Sequence, residues 1–378
     1  MQGQLETGWP CLNALFIFKT DPNRMTSVPK VVRLRPRAQP VAENRMSALI
    51  AGFAENRRLP DDVFWLKENA ELLGILRACD IPLGADALAP FEAFYDQIQP
   101  RMKFFPQYYR FLLSICLDLE DLGMGKHQGA ALCAWVGAEG LAEVELSDLQ
   151  RAEARRLLAR RGVCIAADDS LDARLHAFVE RSATFALPNK KAAYELTHIV
   201  FYLSKYGQRD PGLSAKAMVS LEYAGLLAYL DQNADLLAEV CIAMRFAGAM
   251  PSPLWEGFVA DQHRAIRIMS EPDAPMNDAY HAYLVTGWAL HAAGQDNFQA
   301  PVKPGALRFA PSVVSPQGAL RTMSERMYEL GNMRSGNWEK MRAQVMPYLG
   351  NTGQQILTQA EQSSDCFEGF FAGFARAV

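Results

Sequence analysis

From Asn44 onward, apolar residues recur at spacings of three and four, the pattern of helices that bury one face. Breaks fall at glycine, proline and aspartate. They predict helices over 44–57, 61–78, 85–98, 105–122, 128–142, 148–161, 171–186, 190–206, 213–231, 234–248, 253–270, 276–293, 316–330, 335–348 and 352–376. Pro60-Asp61 and Ser147-Asp148 supply a first-turn proline or a capping oxygen where a helix start leaves N–H groups unpaired. Gly162, Gly207, Gly248 and Gly294 stand where left-handed residues close helices. Strand signals are confined to 163–166 (VCIA) and Val313–Val314, and two isolated pieces make no stable sheet.

The expectation is an all-α fold: an irregular stack of antiparallel helical hairpins, either an α/α solenoid or a ring, with no significant sheet. No repeat of the tetratricopeptide or ankyrin kind is present in the sequence. Gln295–Pro316 is long and rich in proline and glycine, and reads as a functional loop over the groove of the preceding helices. Residues 29–40 (PKVVRLRPRAQP) are too dense in proline for helix, so 1–42 is expected to be a flexible arm that the fold can lose. Met25 reads as a more natural start than Met1. A composition shift near 163–170 divides the rest into a region 43–165 and a region 166–378 that holds the candidate pocket.

Half of the 378 residues are apolar, about a fifth are charged, and the net charge is −4. That is ordinary globular composition, with no electrostatic reason to expect nucleic acid or a membrane surface as partner. The run LNALFIF at 12–18 is too short to span a bilayer and lacks the flanks of a signal peptide. Seven cysteines are scattered singly, which suits reduced thiols and a cytoplasmic setting. The basic stretch Arg151, Arg155, Arg156, Arg160 and Arg161 reads first as a solvated face, with an acidic or phosphate-bearing partner as the alternative.

Dinucleotide, P-loop, zinc-protease and nucleophile-elbow motifs are all absent from the sequence. The pairs Glu92/Asp96 and Asp118/Asp121 read as solvated helix faces. More informative is YELTHIVFYLSKYG at 194–207, which puts Tyr194, Glu195, His198, Phe201 and Tyr202 on a face apart from the core stripe. Asp235 and Glu239 share a face of the next candidate helix, with Asp235 also placed to stabilise its N-terminus. His281 and Trp288 share a face of a third helix, which Tyr280 begins. Three helices close in sequence tend to be neighbours, and each brings a polar residue into apolar surroundings. His198, Glu239 and His281 are therefore expected to converge as a catalytic group, with Tyr194, Tyr202, Asp235, Tyr280 and Trp288 lining the pocket.

The segments THIVFYLSKYG, DLLAEVCIAMRFAG and YHAYLV, in that order, resemble an uncharacterised bacterial family of all-helical proteins with THxxFY…G, DLxxE and YHxxLV patterns. The resemblance covers 190–295 and marks Thr197, His198, Tyr202, Gly207, Asp235, Glu239, Tyr280 and His281. The chain departs from the family at Ser204-Lys205-Tyr206, where the family has Thr-Asp-Phe, and at Ala282-Tyr283, where it has two threonines. The resemblance points to a site and not to a reaction.

Two functions suit this pattern. One is an enzyme acting on a small molecule or peptide, in which His198 and Glu239 are a base and its orienting carboxylate, or in which the imidazoles and carboxylates hold zinc, manganese or iron(II). The other is a non-catalytic helical scaffold that grips a peptide or protein partner. The sequence names no cofactor.

Overall fold

The computed structural model describes residues 39–84, 86–164, 170–270, 278–311 and 318–377. Its first part runs through α1 (Gln39–Ala51), a π-helical turn at Gly52–Asn56, α2 (Val63–Ala78), α3 (Glu92–Asp96), α4 (Ile98–Phe104), α5 (Tyr109–Asp121), α6 (Gly129–Ala138) and α7 (Asp148–Ala159). There follow α8 (Leu171–Val179), α9 (Ser182–Phe185), α10 (Lys190–Leu203), α11 (Ala215–Leu230), α12 (Ala234–Phe246), α13 (Pro253–Ala265) and α14 (Tyr280–Ala292). The chain closes with α15 (Leu320–Leu330), α16 (Trp338–Val345), α17 (Asn351–Ser363) and α18 (Phe367–Ala375). The fold is all-α in its bulk, as the periodicity predicts.

Local chemistry sets the boundaries. Ser147, Asn189, Ser214 and Asn233 cap α7, α10, α11 and α12 by accepting a backbone N–H of the first turn. Asp62, one residue beyond the predicted position, caps α2 by accepting from Phe64 N at 2.8 Å. The four glycines expected to close helices all have positive φ, from 70° at Gly294 to 82° at Gly207. The helix predicted over 352–376 is broken at Ser364, whose backbone is extended. That over 85–98 is broken by a 3₁₀ turn carrying Pro90. The N-terminal arm up to residue 38, most of the 163–170 boundary and Val313–Val314 lie outside the described residues.

Two strands were not foreseen. Residues 266–270, predicted as the end of a helix, form β1 (Ile266–Ser270), and the predicted loop contains β2 (Leu307–Pro311). They pair antiparallel with Ile268 opposite Phe309, the only sheet among the described residues. The reason is visible in the residues: IRIMS and LRFAP each alternate, and each is the partner the other needs. Phe309 packs on Phe53 and Tyr283, with centroids 5.7 and 5.1 Å away.

The arrangement that matters for function is a ring. Helix α10 lies against α12, α12 against α14, α14 against α2, α2 along α5, α5 against α7, and α7 against α10. These six helices close on themselves, while α11 backs α12 and is covered in turn by α9, α17 and α18.

The backing layer is close-packed. Gly225 of α11 faces the fully buried Trp255, and a Cβ there would lie 2.4 Å from the indole ring. Gly225→Ala gains about 0.5–1 kcal/mol of helix propensity. It forces an overpacked contact costing about 1–3 kcal/mol, so the packing term wins. Urea denaturation is expected to show net destabilisation of about 1–2 kcal/mol; a variant more stable than wild type would mean the indole yields freely.

Candidate functional site

The ring lines a cavity of about 420 Å³, partly open to solvent, to which all six helices contribute side chains. Helix α10 supplies Tyr194, His198, Phe201 and Tyr202, α12 supplies Glu239, and α14 supplies His281, Val285 and Trp288. The fully buried stripe Leu196, Ile199 and Val200 turns the other way, into the core. Opposite stand Lys67 and Glu71 of α2, Asp118 of α5 and Arg156 of α7.

His198 and Glu239 meet. The His198 Nδ1 atom lies 3.5 Å from Glu239 Oε2 and 2.7 Å from the Tyr194 carbonyl oxygen. A carbonyl can only accept, so Nδ1 carries a proton and donates it there; in the neutral ring the lone pair is then on Nε2. Glu239 is buried, and burial raises its pKa above the ordinary carboxylate range, against the opposing pull of His198, Thr197 and His281. The Thr197 hydroxyl lies 2.5 Å from Glu239 Oε2 and 2.9 Å from the Tyr194 carbonyl. One hydroxyl proton cannot serve both acceptors. Thr197 donates to the ionised carboxylate, and accepts from the protonated one while donating to the carbonyl.

His281 is placed differently. Its Nδ1 pairs with Glu71 of α2, and its Nε2 lies 3.5 Å from Asp235 Oδ2. Asp235 also accepts the Tyr194 hydroxyl at 2.7 Å. Burial opposes the protonation of His281, but the Glu71 hydrogen bond and the charges of Glu71, Glu239 and Asp235 together outweigh it and raise its pKa to about 9. At neutral pH this ring is an imidazolium clamped between carboxylates.

Of the other expected lining residues, Trp288 stacks on Tyr206 at 5.7 Å and meets Phe201 at 4.9 Å. Asp235 stands behind His281, outside the cavity wall. Tyr280 turns away from it, edge-on to Phe53 and beneath the Arg57 guanidinium. The backbone turn after α10 is strained: Lys205 and Tyr206 both have positive φ, 51° and 60°, before Gly207. Tyr206 N donates to Phe201 O, and the buried Ser204 hydroxyl accepts Gly207 N. A side chain at Gly207 would strike Phe246.

The residues of α2, α5 and α7 were missed by the sequence reading. Lys67, Glu71, Gly74 and Arg77 recur at three and four spacing along one face of α2, which is the signal that could have found them. Asp118, read as part of a solvated pair, is buried and bonded to Arg77 and Arg160 at 2.8 Å each. Arg160 and Arg161 likewise pair with Asp121, so much of the basic stretch faces α5. Among the described residues no group of three or more His, Cys, Asp or Glu side chains is placed to hold a metal ion. Six cysteines, Cys79, Cys116, Cys133, Cys164, Cys241 and Cys366, are free thiols. No helix among the described residues is long and apolar enough to cross a membrane.

The chain belongs to the family described as Domain of unknown function (DUF6902). The match spans residues 28–377. The matched span includes α2, α5 and α7 as well as α10, α12 and α14. No curated protein and no solved structure matches the chain.

The His281 contribution to stability has a defined sign. Its folded pKa of about 9 lies above the ordinary 6.5, so the stabilisation is fully present below pH 6.5 and is lost as pH rises through 9. Denaturant titrations across that window are expected to show wild-type stability declining and His281→Gln declining less. Equal slopes in the two proteins would mean that His281 is not held charged.

Proposed function

We propose that the protein is an enzyme of the acid–base class acting on a small molecule held in the six-helix cavity. The observation that carries this reading is the His198 contact with the Tyr194 carbonyl, which occupies Nδ1 and leaves Nε2 as the basic nitrogen of a ring that lines the cavity. A nitrogen in that state takes a proton from a bound hydroxyl, water or acidified C–H group. The imidazolium that forms lies beside Glu239, whose carboxylate stabilises it. His281, charged and fixed by Glu71 and Asp235, offers positive charge where negative charge develops on the substrate. The two histidines thus take different roles, and these roles need no metal.

A cavity of about 420 Å³ falls in the range that holds small ligands, and its aromatic wall of Phe201, Tyr202, Tyr206 and Trp288 suits an organic molecule. The segments matching THxxFY, DLxxE and YHxxLV contribute His198, Glu239 and His281 in turn, which is the sense in which we read them as marks of the site.

The test uses a filtered mixture of small metabolites incubated with the protein and followed by mass spectrometry. Wild type is expected to convert at least one component, and His198→Gln to convert it about 10²–10⁴-fold more slowly, the usual worth of a positioned base. Conversion at equal rates, or none by the wild type, would remove the acid–base reading.

A further inference from the structure

A second cavity of about 510 Å³ adjoins the first and shares Arg77, Arg156 and Tyr202 with it. Its composition is unusual: among the described residues seven arginine and lysine side chains line it against two aspartates. Part of that charge is answered locally. Arg77 pairs with Asp118, Arg155 with Asp172, and Arg160 with both Asp118 and Asp121.

Arg161 pairs with Glu120 and Asp121, but not every donor is answered. Arg156 Nε and Arg160 Nη1 are buried nitrogens with no hydrogen-bond partner among the described residues. They belong to residues four apart at the C-terminal end of α7, which Arg160 caps. The Arg156 guanidinium lies over the Tyr206 ring at 4.6 Å and the Tyr202 ring at 5.6 Å, which fixes its plane without satisfying Nε. Lys205 and Arg209 have no carboxylate partner among the described residues and line the same chamber. The strained turn explains how they arrive: consecutive left-handed residues send Lys205 to the basic chamber and Tyr206 to the acid–base cavity. A chamber lined by seven cationic side chains against two aspartates is the arrangement that recognises an oxyanion.

We propose that this chamber binds the phosphate group of a phosphorylated small molecule whose remainder occupies the six-helix cavity. This rests on the small-molecule reading above and supplies its substrate class. Arg156, Arg160, Lys205 and Arg209 all line this chamber, and guanidinium and ammonium donors together can meet several oxygens of one phosphate group.

Calorimetric titration with inorganic diphosphate at low salt tests the assignment. Wild type is expected to bind it, and added sodium chloride to weaken the binding. Arg156→Gln should weaken it about tenfold or more, the loss of a charge-assisted pair. If that variant does not fold, Lys205→Gln, at an exposed position, should still lower affinity several-fold. His198→Gln should bind diphosphate as wild type does. Binding of that kind with no turnover of any metabolite leaves the chamber assigned and fails only the acid–base reading. Absence of diphosphate binding, tighter binding of citrate, or equal affinity in the Lys205 variant overturns the assignment, whether or not His198-dependent turnover is seen.

Discussion

Closure of the ring depends on the seam between α2 and α14, where distant parts of the chain meet through buried charge. Arg57 donates to Glu68 at 2.9 Å and to both oxygens of Asp278 at 2.8 and 2.9 Å, and a further N–H reaches the Leu307 carbonyl. The side chains of Arg57, Glu68 and Asp278 are each at most 5 % exposed. Asp278 also accepts Phe309 N and Tyr280 N, so the one cluster ties the turn after α1, α2, the start of α14 and β2. Removing one partner from such a buried set costs about 3–5 kcal/mol, because a buried charge then loses its main counter-ion. Its effect is to give α2 and α14 one register. In that register Glu71 stands opposite His281.

From that pairing the rest of the site follows. Glu71, His281, Asp235 and Tyr194 form a chain from α2 through α14 and α12 to α10, and the carbonyl at its end fixes the His198 ring. Neighbouring acids hold one histidine protonated. A backbone carbonyl holds the other in a chosen orientation with a nitrogen to spare. Two identical side chains thereby acquire different chemistry from their hydrogen bonds alone.

Much of this was legible before the structure, and the pattern of failure is instructive. Helix periodicity and the capping residues Ser147, Gly162, Gly207, Gly248 and Gly294 are local features, and local features can be read from the chain. The grouping of His198 and Glu239 followed from helices close in sequence. What stayed hidden was long-range. Glu71 lies far from His281 along the chain, and nothing in its own segment names that partner. The strands failed for the same reason: IRIMS looks like a helix end until LRFAP lies beside it. The arginines of α7 were taken as a solvated face because the acids that meet them belong to α5 and α8.

The central claim is that the ring holds His281 charged between carboxylates and directs the Nδ1 proton of His198 to the Tyr194 carbonyl. Nitrogen-15 NMR of the histidine side chains in the full chain at pH 7.5, assigned with His198→Gln and His281→Gln, measures this directly. The expected result is a His281 ring with both nitrogens protonated, and a His198 ring whose neutral form carries its proton on Nδ1. A neutral His281, or a His198 protonated on Nε2 with Nδ1 bare, would contradict the account.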